Sequence, residues 1–322
     1  MKILMAIACC LVLGACAQGV KFGLQATSED FAQNITYNNK VDFVWLVDNS
    51  QSMAKHQQTL NTQIPDLVSK LNAMKLDYHM VVITSSMGAG GDGGQFVGNP
   101  KVLTNTTADL TNILKQRIAV GEAGSNLERG MYSLETVLSN NYLNNQGSGF
   151  LREEALLVVN VLSDEDDQSG RNASYYEAML DELKPAQYNN QKNWMLNFVG
   201  VLSPTAATGV CTTFNAYSDP GDLFIALANL SGGVQESICT TTLTSAVSNI
   251  RLRILQILTD FRLSSKPLLS SVRVKINGKV IPQSQTDGWY YIESLNVIRF
   301  YGTAVPAADA VIAVDFTPAQ AS

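Results

Sequence analysis

The sequence predicts an α/β protein with a doubly wound, mostly parallel sheet flanked by helices, followed by a small C-terminal antiparallel β domain. Two almost wholly apolar runs, at 41–47 and 155–162, are typical of central parallel strands that are buried on both faces. Between 41 and 262, strand-like runs alternate with stretches of helical periodicity, as in sheets covered by helices on both faces. After Leu263 apolar residues tend to alternate with polar ones, which indicates antiparallel strands.

Each element follows from the spacing of apolar residues. The strand at 42–48 precedes a helical stretch of about 53–75, in which apolar residues recur three and four positions apart. The same reasoning predicts strands at 78–84 and 101–103, helices at 107–118 and 126–139, strands at 155–162 and 194–202, a helix at 221–230, a strand at 234–238 and a helix at 241–260. In the C-terminal domain it predicts strands at 271–276, 279–281, 289–292, 297–301 and 310–316, with a hairpin turn at Asn277-Gly278.

The amino terminus resembles a bacterial lipoprotein signal. A positive start, Met1-Lys2, precedes an apolar stretch at 3–13 and the small-residue motif Leu13-Gly14-Ala15-Cys16. The stretch is too short to span a membrane, which takes about 20 residues. The resemblance implies that residues 1–15 are removed and that acyl chains on Cys16 anchor the protein to the membrane of the bacterial cell envelope, with Ala17 favouring the outer membrane. A plain secretory signal with a chance cysteine is the alternative.

Composition and charge restrict the remaining possibilities. The 322 residues are 46% hydrophobic and 16% charged, which indicates a globular protein larger than one typical domain. A net charge of -6 argues against nucleic acid as a partner, because a basic surface would be needed. The Asn-rich segment 16–40 is predicted to be a tether. The expected organisation is therefore a signal peptide (1–15), the tether (16–40), an α/β domain (41–262) and a β domain (263–322).

The cysteines are consistent with export. Of the five, Cys9 and Cys10 would leave with the signal and Cys16 would be acylated. Cys211 and Cys239 remain, and in an oxidising compartment a disulfide between them is expected. Two buried free thiols are the alternative.

Asp48, Ser50 and Ser52 follow the first apolar strand at alternate positions, so that one carboxylate and two hydroxyls point the same way. Hard divalent cations such as Mg²⁺ take oxygen ligands of this kind. The carboxyl ends of parallel strands are also where open α/β sheets bind their ligands. Ordinary turn and helix-capping chemistry is the alternative explanation for this residue pattern.

The order Asp-x-Ser-x-Ser after a hydrophobic strand resembles the metal-ion-dependent adhesion site of the von Willebrand factor type A domain, whose fold is Rossmann-like. This resemblance, over 41–262, implies a hydroxyl from a second loop and an aspartate after a later strand. Asp164, after the strand at 155–162, matches the aspartate, and Ser125, ahead of a predicted helix, is the candidate hydroxyl. Ser125 replaces the usual Thr and also forms a capping-box pattern with Glu128, which is a weaker substitute as a ligand.

The resemblance implies a function in binding. The five residues would hold Mg²⁺, with Mn²⁺ or Ca²⁺ possible, and an acidic residue of a protein or other macromolecular partner would complete the coordination. A structural envelope component with a vestigial metal site is the alternative. An enzyme is not expected, because the two histidines, an exposed His56 and a sheet residue His79, fit no zinc or nucleophile motif.

Two further segments lie near the predicted site. The acidic run 164–167 lacks the spacing of a hand-type calcium loop, so Asp166 and Asp167 are expected to be solvated or to cap helices. The glycine-rich segment 88–94 lacks the Gly-Lys-Ser/Thr ending of a phosphate-binding loop. It is expected to be a flexible loop on the metal-bearing face.

Overall fold

The two apolar runs predicted as central strands lie side by side in the computed structural model, which describes residues 27–29, 39–125, 127–186, 192–203, 211, 220–306 and 310–319. The strands are β1 (Thr27–Glu29), β2 (Lys40–Val47), β3 (Asp77–Thr84), β4 (Leu103–Thr104), β5 (Leu156–Ser163), β6 (Trp194–Gly200), β7 (Gln235–Ser237), β8 (Asp260–Arg262), β9 (Arg273–Ile276), β10 (Lys279–Ile281), β11 (Gly288–Ile292), β12 (Val297–Tyr301) and β13 (Ile312–Phe316). The helices are α1 (Ala54–Asn61), α2 (Ile64–Ala73), α3 (Leu110–Ile118), α4 (Gly130–Val137), α5 (Asn140–Leu143), α6 (Ala173–Leu183), α7 (Asp222–Ser231) and α8 (Thr244–Thr259).

The main sheet has six strands in the order β4-β3-β2-β5-β6-β7. Neighbouring strands run parallel except β3 and β4, which are antiparallel. Successive residues of β2 serve opposite faces: Phe43 and Trp45 belong to a core with α1, α2, α3 and α8, whereas Val44 and Leu46 belong to a core with α4 to α7. Helices therefore cover both faces, which confirms the predicted doubly wound α/β fold.

Three helical segments differ from the prediction. The stretch at about 53–75 forms two helices, because α1 ends at Asn61 and α2 starts at Ile64 with Pro65 in its first turn. Proline has no N–H to bond to a preceding turn, so a helix can begin at this residue but not continue through it. The four-residue helix α5 was not predicted, and neither was α6. Only Tyr176 and Leu180 of α6 are buried, and so narrow an apolar stripe gives a weak periodic signal.

The C-terminal β domain consists of two antiparallel sheets with a shared core. Their strand orders are β1-β13-β9-β10 and β11-β12-β8. The core contains apolar side chains from both sheets, among them Phe261, Val274, Trp289, Phe300 and Val314. All five predicted strands of this domain are present, and Asn277 and Gly278 make the hairpin turn with positive φ angles of 49° and 79°.

Two strands of this domain were not predicted. β8 follows directly after α8, and β1 comes from the segment predicted as a tether. β1 pairs with β13, with Thr27 opposite Phe316. Residues from before the α/β domain therefore complete a sheet that is otherwise built from the end of the chain.

Helix α8 separates the β domain from the carboxyl ends of the parallel strands. It begins shortly after β7 and packs along the sheet with α2. A helix that follows a parallel strand packs back across the sheet, so α8 runs toward the amino ends of the strands, and β8 begins where it ends. The β domain therefore lies at the amino ends of these strands.

The predicted disulfide is present between Cys211 and Cys239, and both residues are buried in the core beneath α8. Within the described ranges, no helix is both long enough and apolar enough to cross a membrane. The predicted signal peptide at 1–15 and the acylation site Cys16 lie outside the described residues.

Candidate metal centre

The candidate site lies where β2 and β5 end side by side. From β2 the chain moves to β3 on one side and later to β5 on the other, so the strand order reverses at this point. Such switch points form ligand crevices at the carboxyl edge of open α/β sheets. Asp48 directly follows β2, and Asp164 directly follows β5. The two aspartates predicted as ligands thus follow the ends of two adjacent strands, at the same edge of the sheet.

Asp48 is fully buried, and its carboxylate is held by three donors. Oδ1 accepts hydrogen bonds from the Ser50 amide at 2.8 Å and from the Ser85 hydroxyl at 3.3 Å. Oδ2 accepts one from the Ser163 hydroxyl at 2.7 Å. The Ser50 and Ser52 hydroxyls lie 3.3 Å apart. The first loop therefore places its carboxylate and both hydroxyls together, as the alternating pattern predicts.

Asp164 is 1% exposed, and neither of its carboxylate oxygens has a hydrogen bond to the described residues. Burial raises the pKa of Asp164 to about 7; the Ser52 hydroxyl nearby opposes this shift, and the Asp48 carboxylate adds to it. Buried polar groups are nearly always paired, because an unpaired one costs free energy. A cation would compensate this carboxylate, so the donor set fits the proposed metal.

Glu128 is a second buried carboxyl group at this site. It is 3% exposed, and its Oε2 has no hydrogen bond to the described residues. Burial, followed by the neighbouring Asp48 carboxylate, raises the pKa of Glu128 to about 10, and the Ser50 hydroxyl opposes the shift. Sequence reasoning ranked Glu128 only as a weak substitute. Its only mark in the sequence is its place in the loop two residues before α4, which does not reveal its burial.

The backbone around Glu128 is tied to two other loops. Glu128 forms an isolated antiparallel bridge with Ser86, just after β3. Its carbonyl accepts a hydrogen bond from the Gln168 amide at 2.7 Å. The second loop is therefore fixed between the end of β3 and the loop that follows Asp164.

Ser125 has other partners. Its amide donates to the Ser86 hydroxyl at 2.8 Å, and its hydroxyl accepts from the Leu127 amide at 3.0 Å. Its side chain also lies against Gly88, where an added Cβ would stand 2.6 Å from the Ser125 hydroxyl. In the described part of the chain, no hydrogen bond joins this hydroxyl to the other four predicted ligands. The assignment of Ser125 as a ligand stays a prediction.

The capping box predicted at Ser125 does not form, because α4 begins only at Gly130. The first turn of α4 is capped instead by Asp167, which accepts from the Met131 amide at 2.8 Å. Asp166 similarly accepts from the Leu223 amide, in the first turn of α7, at 3.0 Å. The expectation that these two aspartates cap helices is confirmed.

The glycine-rich segment 88–94 packs against the site. Asp92 accepts hydrogen bonds from the Asn49 amide group at 3.0 Å and from the Thr84 hydroxyl at 2.8 Å. A Cβ at Gly91 would lie 2.2 Å from the Ser86 carbonyl oxygen, so the close approach of the two backbones requires glycine. The segment lies on the face that carries the candidate site, as predicted.

His56 is buried, so the expectation that it is exposed was wrong. Burial lowers the pKa of His56, and the Asp48 carboxylate nearby opposes this shift.

Among the residues with described positions, no three or more His, Cys, Asp and Glu side chains group closely enough to form a metal centre.

No protein-family model matches the chain, and no match is found among curated proteins. Among solved structures, it is similar to proximal thread matrix protein 1 from the mussel byssus (TM-score 0.41, 12% identity, covering 75% of this chain and 52% of that one). It is also similar to the open conformation of the pilus adhesin SpaC from Lactobacillus rhamnosus GG (0.44, 11%, 88% and 39%) and to the ArnB paralog VWA2 from Sulfolobus acidocaldarius (0.33, 14%, 89% and 59%). The chain thus spans less than two thirds of each of these structures. The similarities are distant, and the fold assignment rests on the strand order and the helix packing described above.

Proposed function

We propose that this chain is a lipid-anchored binding protein of the bacterial cell envelope that recognises a macromolecular partner through a divalent cation. The cation would be Mg²⁺, with Mn²⁺ or Ca²⁺ as alternatives, held by Asp48, Ser50, Ser52 and Asp164 together with an oxygen of the second loop. The observation that carries the proposal is the buried Asp164 carboxylate, which has no hydrogen bond to either oxygen within the described residues.

The proposed recognition follows from the charge of the ligands. Serine hydroxyls are neutral, so they bind a cation without cancelling its charge. Hard cations in such sites retain positions that water or another oxygen ligand fills. An acidic residue of a protein partner is the ligand that such a position would favour. This chemistry needs no nucleophile or proton shuttle, so we propose binding rather than catalysis.

Calorimetry with Mg²⁺ and Mn²⁺ on the chain from residue 17 onward, without the signal and the acylated Cys16, tests the metal site. We expect binding to the natural chain and a loss of binding in Asp164→Asn and Ser52→Ala. Asp66→Asn is the matched control, because Asp66 is an exposed helix residue paired with Lys70. Natural protein that gives no heat with either metal would contradict the proposal.

A structural role with a vestigial site is the second candidate, and one observation favours it. Three protein donors already satisfy Asp48. Proteins captured from envelope extracts separate the two functions: a partner that elutes on chelation supports recognition through the cation, whereas partners retained in EDTA support the structural role.

The lipid anchor has its own test. We expect Cys16→Ala to release the protein from the membrane fraction and to remove the mass of the acyl chains from the mature amino terminus. Export without any added mass on the natural chain would leave a secretory signal as the explanation.

A further inference from the structure

Two side chains of the second loop compete for the role of cation ligand. Ser125 matches the sequence pattern, but its hydroxyl accepts from the Leu127 amide and lies against Gly88. Glu128 is 97% buried beside Asp48 and Ser50, with one oxygen that has no hydrogen bond to the described residues. The unsatisfied oxygen therefore belongs to Glu128.

The backbone leaves Glu128 little freedom to turn away. The bridge to Ser86 and the 2.7 Å hydrogen bond from Gln168 hold it on both sides. The next residue, Arg129, donates its amide to the Ser85 carbonyl oxygen at 2.9 Å, and Ser85 itself donates to Asp48. The same short segment thus fixes both the glutamate and the aspartate beside it.

Two carboxylates in contact at a buried position repel each other when both are ionised. The described positively charged side chains do not form an ion pair with Asp48 or Glu128 at 4 Å or less. A divalent cation between them would remove the repulsion and would bind the orphaned oxygen.

We infer that Glu128, and not Ser125, supplies the second-loop ligand of the cation. This inference rests on the proposed function. As a ligand, the Glu128 carboxylate brings one negative charge to the cation, whereas the Ser125 hydroxyl would bring none. Mg²⁺ sites commonly use one or two protein carboxylates, so Glu128 beside Asp48 and Asp164 would make this site richer in negative charge than most. The bound cation would hold less residual charge for an acidic partner, so Glu128 would reduce the affinity for that partner.

The test compares Glu128→Gln with Ser125→Ala by calorimetry with Mg²⁺ and Mn²⁺ on the chain from residue 17 onward. We expect Glu128→Gln to weaken binding at least about tenfold, since even loss of an outer partner of a metal ligand costs about 10- to 100-fold. Ser125→Ala should change the affinity by less than about threefold, because its hydroxyl is engaged elsewhere. Glu128→Asp, which keeps the charge on a shorter side chain, should fall between the natural chain and Glu128→Gln.

Thermal melts of each variant in EDTA establish that it is folded. If the natural chain binds metal and Glu128→Gln binds it equally well, the inference is overturned and the proposed function stands. If Ser125→Ala loses binding, the hydroxyl is the ligand and the inference is likewise overturned. If the natural chain binds no metal, the proposed function itself fails. Should Glu128→Gln not fold, Glu128→Asp and Ser125→Ala still separate the two ligands.

Discussion

The Ser163 hydroxyl donates a 2.7 Å hydrogen bond to Oδ2 of Asp48 and thereby joins the last residue of β5 to the first loop. Ser163 is 3% exposed and also accepts from the Glu165 amide. Ser163 is not a predicted ligand of the cation. It therefore acts on the site by positioning Asp48.

Ser163→Ala should lower the free energy of unfolding by about 1.5–3 kcal/mol, the usual value for a hydrogen bond to a charged group. It should also weaken cation binding, since Oδ2 of Asp48 loses the hydrogen bond that fixes its position. Urea unfolding in EDTA and calorimetry with Mg²⁺ measure the two effects. Ser245→Ala is the control, because Ser245 is exposed in the first turn of α8. Unchanged stability in Ser163→Ala would count against the contact.

Asp92 holds the glycine-rich segment against the site through Asn49 and Thr84. Asp92→Ala removes the acceptor for both donors while leaving the sheet beneath unchanged. We expect faster amide hydrogen exchange at 88–94 and little change in the melting temperature. Asp66→Ala, at an exposed helix position, is the control. Equal exchange rates in the natural chain and Asp92→Ala would show that the glycine contacts alone hold the segment.

Stability without metal should depend on pH because of Asp164 and Glu128. Burial raises the pKa of Asp164 from 3.8 to about 7 and that of Glu128 from 4.5 to about 10. A carboxyl whose pKa is raised by folding favours the folded state most at low pH, and this contribution is lost as pH rises through the folded-state pKa. For Asp164 the loss falls between about pH 4 and pH 7.

We therefore expect the chain in EDTA to lose stability from pH 5 to pH 8 more steeply than Asp164→Asn does. Glu182→Gln is the control, because Glu182 is exposed on α6. Melting temperatures at pH 5, 6.5 and 8 provide the measurement. Parallel curves for the natural chain and Asp164→Asn would contradict the assignment.

A buried ion pair stabilises the opposite end of β2. Asp42 is fully buried and accepts hydrogen bonds from the Arg152 amide at 2.7 Å and from its guanidinium Nε at 2.8 Å. Removing one partner of a buried pair costs about 3–5 kcal/mol, because the remaining charge is left uncompensated. Asp42→Asn should cost free energy in this range, measured by urea unfolding.

The comparison for Asp42→Asn is Lys70→Ala, which breaks an exposed pair with Asp66 on α2. Helix pairs of this type contribute about 0.2–0.5 kcal/mol. Similar costs in both variants would mean that Arg152 finds another partner. Metal binding should persist in folded Asp42→Asn, since Asp42 lies near the start of β2 and the candidate site lies at its end.

The fold and the positions of Asp48 and Asp164 could be predicted because they depend on local patterns. Apolar runs identify β2 and β5, and Asp48 and Asp164 are the first acidic residues after them. The burial of Glu128 depends on three loops packing together, and no local pattern carries that information. The pairing of β1 with β13 is similar, because it joins two segments more than 280 residues apart in sequence.

Helix α8 has 16 residues, which corresponds to a length of about 24 Å. It places the β domain, and with it β1, at the amino ends of the parallel strands, whereas the candidate metal centre lies at their carboxyl ends. Ten residues separate Cys16 from Thr27, a reach of at most about 35 Å when fully extended. On the proposed acylation of Cys16, the β domain would stand next to the bilayer, and the cation would face away from it, toward molecules that approach from the aqueous side.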